Sequence, residues 1–562
     1  MTLTVLAANV VHTMDPTRPT AAAVAVAAGR IVAVGSRAEV LARVGEHAPV
    51  MHLDGALLPG FIDAHHHFCV AALDRRALDL HLPPGATIAD LQARVAAQRD
   101  RTPGSGWLRL QGYDPLKLAE RRAPTAAELD EVCADRPLLV ASYSFHEGVL
   151  NTSGLAAMGW QAGSPDPPHG RLVRRRGRLT GEVLEAAFFL AEAVSRGSLL
   201  AHSGDAWLAE AQAHGRALLA HGIVRVGDAA VPPEFDPLYD RAVEAGMLPV
   251  TVHRMPVAQR SFLEPRGAAG RATGEGPAGA PTGPAKLFLD GADRCAVCVS
   301  GAQLATLVGA TLRKAVTGGG LAALRAGTRM GRIRLAGRHF TIGKPFWEPD
   351  DLRAAIRVAA AHGHQIAIHA LGNWAVRRAC DALDQVGDLR ERPGRPRLEH
   401  AMLLDAGLES RIADCGAVAV VQPSFLHEIG DELLQRGLPT GLSVNPLATL
   451  AAAGVTVAGS SDYPVAGCDV MTAIRAAVTR ETASGTKLHA HEAISVQDAL
   501  AAYTRGGAIA LGVDREAGTI TAGKVADLVL LSADPLTTEP ARLSDIAVLA
   551  TWRDGIMVHR LS

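Results

Sequence analysis

The middle of the chain repeats one hydrophobic pattern: a short continuous apolar run, a longer segment of helical period, then another apolar run. The runs are LLVASYS (138–144), IVRVGDA (223–229), LPVTVHR (248–254), AKLFLDG (285–291), QIAIHA (365–370), PRLEHA (396–401), AVAVVQP (417–423) and VTVAGSSD (455–462). Between several of them lie helical segments such as DDLRAAIRVAAAHG (350–363) and WAVRRACDALDQV (374–386). Apolar runs without alternation suit strands buried on both faces. Strand, helix, strand repeated over about 400 residues predicts a parallel α/β fold, and the strand count suits a closed (β/α)8 barrel. An open doubly wound sheet is the alternative.

The two ends read differently. LTVLAANVVHTM, AAVAVAAGRIVAVG and PVMHLDGALLPG alternate apolar and polar positions, punctuated by Gly29, Gly35 and Gly55. GTITAGKVADLVLLS and DIAVLATWRDGIMVHR do the same near the C-terminus. Such patterns predict strands, and two strand-rich ends around a long middle predict one small β-domain built from both. Two unrelated terminal hairpins are the alternative. The expected division is 1–58 and 511–562 for the terminal unit and 59–510 for the barrel, with insertions around 100–180 and 300–345. Residues 100–135 and 155–180 are polar and rich in Pro and Arg, and are expected to cover the barrel mouth. Residues 265–284 read as a flexible loop. Residues 315–340 read as a lid, with a solvated linker equally open for both stretches.

Composition narrows the function classes. The 562 residues exceed one typical domain, 48% of them are hydrophobic, and the formal net charge is -1 without a run of one sign. A nucleic-acid binder or membrane-surface protein usually shows a basic patch, so neither partner is expected. The start MTLTVLAANVVHTMD lacks a secretory pattern, and seven cysteines in so long a chain suggest no disulfide framework. A cytoplasmic protein with a small-molecule substrate is expected, and a homodimer is compatible with the sequence.

The candidate chemistry starts at PGFIDAHHHF (59–68). Side chains on a strand alternate faces, so His65 and His67 point one way and His66 the other, with Cα atoms about 6–7 Å apart. Two imidazoles on one face chelate an ion; a solvated histidine cluster is the plain alternative. His369 ends QIAIHA, His400 ends PRLEHA and Asp462 ends VTVAGSSD, all at the strand ends where a barrel places its active site. Four strand ends offering a His pair, His, His and Asp are hard to ascribe to chance. Lys286 lies inside the apolar AKLFLDG, where an uncompensated ammonium is costly. Either Asp290 or Asp293 pairs with it, or CO2 carbamylates its amine into an anionic ligand.

The order PGFIDAHHH, KLFLDG, HALGNWAV, RLEHA, GSSDYP and GTITAGKVADLVLL resembles the amidohydrolase superfamily, and within it the YtcJ-like branch (amidohydrolase family 3) that includes N-substituted formamide deformylases. The resemblance covers nearly the whole chain, and SFHEGVLNTSGL (144–155) is similar to that branch's segment of His, four residues, Asn. It implies a (β/α)8 barrel with a composite β-sandwich from both termini. It implies His65 and His67 as first-strand metal ligands, Lys286 as the often carboxylated bridging ligand, and His369 and His400 as ligands of a second metal. Asp462 becomes the last-strand ligand and proton shuttle, and His146 the histidine that faces substrate. Departures are DGADRCAVCVS after the lysine and HALGN for the usual HAIGD, which makes Asn373 a candidate substrate-lining position. Cys295 and Cys298 have C-x-x-C spacing without a second pair, which favours a structural or substrate-lining role over zinc or redox chemistry.

These residues imply one or two divalent ions, zinc best suited to a His-rich site, and hydrolysis of a non-peptide C–N bond, such as removal of a formyl or acyl group from an amine. The water is acidified by metal, Asp462 carries its proton to the leaving nitrogen, and His146 assists the developing oxyanion. Deamination of a cyclic amidine or nucleobase-like substrate and lactone or ester hydrolysis use the same parts. A barrel without activity, serving only to bind, has no physical need for them.

Overall fold

The structure, a computed structural model, describes residues 3–75, 78–257, 270–291, 295–314, 316, 333–387, 389, 394–436 and 441–561. Asp293, the second candidate partner of Lys286, lies outside them, as do 265–269 of the expected loop and 315 and 317–332 of the expected lid.

Eight parallel strands carry the middle of the chain: β1 (Phe61–His66), β2 (Ile223–Val231), β3 (Thr251–Pro256), β4 (Ala285–Phe288), β5 (Ile366–Ala370), β6 (Arg397–His400), β7 (Val418–Val421) and β8 (Val457–Gly459). They form two sheets, β3-β2-β1 and β4-β5-β6-β7-β8, rather than one continuous closed ladder. A few hydrogen bonds span the two seams: the Asp462 N–H donates to the His65 carbonyl at 2.8 Å and the Arg254 N–H to the Pro281 carbonyl at 2.9 Å, and Arg254 bridges Thr282 ahead of β4. The strands are buried on both faces, which is why their sequences do not alternate. The helix Pro349–Ala361 starts with proline and two aspartates and buries Leu352, Ile356, Ala359 and Ala360 on one stripe. Asn373–Val386 buries Val376, Ala379, Cys380 and Leu383 in the same manner.

Strands from both ends share one seven-stranded sheet. Val50–Pro59 lies at its centre, parallel to Thr4–His12 and antiparallel to Leu528–Leu531. Leu6, Val24, Leu57, Leu528 and Trp552 form its core.

One expectation needs correction, and two stretches gain detail. LLVASYS was expected among the alternating strands of the parallel sheet, but Leu138–Ser142 belongs to a separate six-stranded sheet between β1 and β2. Its apolar run is satisfied there by Leu108–Tyr113 and Glu147–Leu150. Within and just after the expected excursion 155–180, Gly170–Arg175 and Arg178–Glu185 pair as a hairpin on that sheet. The insertion returns through a 35-residue helix, α1 (Ala186–Ala220), whose alanine-rich sequence shows no single apolar stripe. Past β4, part of the expected lid is ordered, with Arg334–Ala336 and His339–Ile342 pairing and Val297–Ser300 completing a small sheet. No described helix is long and apolar enough to cross a membrane.

Candidate functional site

The C-terminal ends of β1, β4, β5, β6 and the segment after β8 meet in one buried cluster. His65 is the penultimate residue of β1, and His67 follows the strand as the residue before a short helix. Their rings lie 5.5 Å apart, and both Nε2 atoms approach Asp462 Oδ1, at 3.3 Å from His65 and 3.0 Å from His67. His66 turns away, as alternation requires, and meets Asp63, Ser461 and His214 behind the strand. His400 Nε2 lies 3.0 Å from His369 Nδ1, and His400 Nδ1 lies 3.9 Å from Asp462 Oδ2. Ligand atoms of His65, His400 and Asp462 fall within 4.8 Å of one another.

Hydrogen bonds on the outer side fix which nitrogen faces inward. Glu399 accepts from His65 Nδ1 at 2.5 Å, the Ala229 carbonyl accepts from His67 Nδ1 at 2.9 Å, and Gln422 Oε1 accepts from His400 Nδ1 at 2.8 Å. Each ring therefore directs an Nε2 lone pair towards the centre. Asp462 Oδ1 is buried and has no hydrogen-bond donor, and His369 Nε2 is likewise unsatisfied. Lone pairs and a carboxylate oxygen facing one another repel unless a cation lies among them. This donor set fits a divalent ion.

Electrostatics agrees with that arrangement. Burial pushes the His400 imidazole down to about 3, and burial with His400 and Lys286 nearby pushes His369 well below the usual range. Both are neutral, ligand-ready rings. Lys286 is 4% exposed, and burial lowers its ammonium to about 8 against the opposing pull of Glu399 and Asp462. Its Nζ lies 3.5 Å from His65 Nε2 and 5.0 Å from the centre of the Phe288 ring.

Asp290, offered from sequence as the partner of Lys286, has another duty. Its oxygens accept the backbone N–H groups of Leu371 and Gly372, each at 3.0 Å, and of Ala296 at 2.8 Å, and burial raises it to about 7. Asn373 also departs from expectation. Its amide oxygen accepts from the Cys298 N–H at 2.8 Å and its amide nitrogen donates to the Cys298 carbonyl at 2.9 Å. With both ends committed to backbone, Asn373 ties the start of its helix to the strand Val297–Ser300 and does not line the cavity. Cys298 takes part in that tie, whereas Cys295 lines the cavity.

His146 comes from the six-stranded insertion, its ring centre 5.6 Å from that of His369. It and the cluster line a cavity of about 170 Å³ whose wall is mostly apolar, including Phe188, Phe189, Phe288, Phe425, Leu371 and Met402. The sequence reading missed Glu399 and Arg397. Arg397 Nε and Nη2 donate to the Glu399 oxygens at 2.8 and 3.0 Å, and Arg397 with His65 keeps Glu399 ionised although burial opposes it. The available signal was a pair of opposite charges two residues apart, on one face of an otherwise buried strand.

A model described as "Amidohydrolase family" matches residues 53–559. The chain is 29% identical to the N-substituted formamide deformylase of Arthrobacter pascens, over 99% of this chain and 98% of that one. It is 26% identical to the putative amidohydrolase YtcJ of Bacillus subtilis (strain 168), over 91% and 90% respectively. Among solved structures, an uncharacterized metal-dependent hydrolase from Pyrococcus horikoshii shares the fold with a TM-score of 0.70 at 20% identity, covering 96% of this chain and 99% of that one.

Proposed function

We propose, from the premise that this chain belongs to the amidohydrolase family, that it hydrolyses the non-peptide C–N bond of a small N-formyl or N-acyl amine. One observation carries the reading: His65, His67, His400 and Asp462 converge with inward lone pairs and an unsatisfied carboxylate oxygen. The name of the formamide-cleaving relative, which is matched over nearly its whole length, supports the choice of bond. The apolar cavity supports a substrate whose nitrogen carries an apolar group, since covering such a group removes its surface from water.

Under this reading the two parallel sheets are arcs of one (β/α)8 barrel over 59–510, and residues 1–58 and 511–562 form a composite β-sandwich beside it. His65, His67, His369, His400 and Asp462 would hold one or two divalent ions, zinc suiting the imidazoles best. The ion, when bound, supplies Lewis acidity and a water acidified towards neutrality. Burial lowers the Lys286 ammonium to about 8, so more of it is free amine at neutral pH than in an ordinary lysine. That amine is the form that attacks CO2 and, on losing a proton, becomes a carbamate ligand.

The chain's own groups then divide the work. The Asp462 carboxylate takes the proton of the attacking water and returns it to the departing nitrogen. His146, when it carries protons on both ring nitrogens, donates Nε2–H to the carbonyl oxygen as its negative charge develops. Phe188, Phe189 and Phe288 keep bulk water from the reacting centre.

The test is elemental analysis of purified protein, then a screen of N-formyl and N-acyl amines against lactones and cyclic amidines before and after chelation. Amide cleavage lost on chelation and restored by zinc is expected. Ammonia release from amidines or lactone opening, with no amide cleaved by metal-loaded protein, would overturn the reading.

A further inference from the structure

Glu185 stands where the strand Arg178–Glu185 passes into α1, and its backbone adopts φ 52° and ψ -125°. Glycine tolerates that region, whereas a residue with a side chain adopts it only when its surroundings hold it there. The plain explanation, a carboxylate capping the new helix, fails because the side chain makes no capping hydrogen bond. It is directed instead at His146. The Glu185 N–H donates to the His146 carbonyl at 2.7 Å, and Glu185 Oε2 accepts from His146 Nδ1 at 2.7 Å. Both residues are buried.

The opposite side of the carboxylate is equally constrained. A Cβ added at Gly291 would lie 2.4 Å from Glu185 Oε1 and 2.7 Å from Oε2. Glycine at 291, directly after Asp290, leaves the space in which the carboxylate sits. Two segments distant in sequence are thus shaped around one hydrogen bond to the imidazole that lines the cavity.

We propose that Glu185 is the positioning residue of His146, and that Gly291 is the vacancy admitting its carboxylate. Glu185 keeps the proton on Nδ1 and sets the ring orientation with which His146 meets the substrate carbonyl. The proposal rests on the reading of His146 as the substrate-facing histidine, and the test separates the two.

Zinc-loaded full-length protein is compared with Gly291→Ala, Glu185→Gln, Glu185→Ala and His146→Gln, with N-phenylformamide as probe. Five quantities are followed: metal content, Tm, kcat, KM, and the His146 tautomer by 15N NMR of histidine-labelled protein. Gly291→Ala displaces only the end of a side chain, so it is expected to fold and keep its metal. Gly291→Ala and Glu185→Ala are expected to lose the fixed Nδ1–H tautomer, with kcat falling about 10- to 100-fold at little changed KM, as when an orienting partner of a working histidine is removed. Glu185→Gln, whose amide oxygen still accepts from Nδ1–H, is expected to recover most of the loss. Wild-type tautomer in both Gly291→Ala and Glu185→Ala, or wild-type kcat in both beside an impaired His146→Gln, would overturn the positioning role while leaving His146 in place. A fully active His146→Gln would instead remove His146 from the reaction, and this proposal with it.

Discussion

At the scale of single residues, the site is a matter of which atom each side chain turns inward. His65, His67 and His400 each have an oxygen acceptor on Nδ1, which leaves Nε2 for the centre. Asp462 meets two of those Nε2 atoms with one carboxylate oxygen. Asp462→Asn keeps the shape but removes the charge and the proton-carrying capacity, so kcat is expected to fall by about three orders of magnitude. Circular dichroism should be unchanged, and a fully active variant would exclude Asp462 from the chemistry. Glu399 acts one step further out, through His65. Glu399→Gln is expected to weaken metal affinity about 10- to 100-fold, read by equilibrium dialysis against zinc. Removing this carboxylate's charge also leaves Arg397 without its charged partner, so Arg397→Leu/Glu399→Gln serves as the charge-neutral control. His65, His67 and Asp462 were visible in sequence because polar residues at the ends of apolar strands stand out. Glu399 was not, because its importance lies in a contact 334 residues away.

At the scale of elements, the parallel strands were the most legible part, since burial on both faces writes an unbroken apolar run. The same run misled at 138–144, because a buried strand of an inserted sheet carries the same pattern as one of the main sheets. β3 shows what such burial costs in acid. His253 on this strand is buried, with Arg225 and Arg397 near, and its imidazole is lowered to about 3, against about 6.5 in an unfolded chain. Between those values the unfolded state binds the extra proton. Stability is therefore complete above about pH 6.5 and is lost as pH falls towards 3. His253→Gln is expected to flatten the fall of unfolding free energy in that window by up to about 1.4 kcal/mol per pH unit. Urea melts at several pH values check this, and identical slopes would exclude His253 as the cause.

At the scale of the whole molecule, the two chain ends are one structure. Leu528–Leu531 lies between Val50–Pro59 and Val548–Arg553, so a chain ended after residue 527 leaves one edge of the central strand unpaired and uncovers Leu57 and its neighbours. Such a truncation is expected to be insoluble or unfolded, as read by gel filtration and circular dichroism. A monomeric, folded product would show that the terminal sheet is dispensable. The local sequence determined by itself the strand and helix periods of the middle, the polar residues placed at strand ends, and the strand character of both termini. Each of these follows from side-chain period and from the cost of burying charge, which neighbours in sequence suffice to express. Only the tertiary structure decided that Asp290 and Asn373 serve backbone groups, that Arg397 and Glu399 brace His65, and that Glu185 reaches His146 past Gly291. Those outcomes depend on which distant atoms come within hydrogen-bonding range, and no periodicity along the chain records that distance.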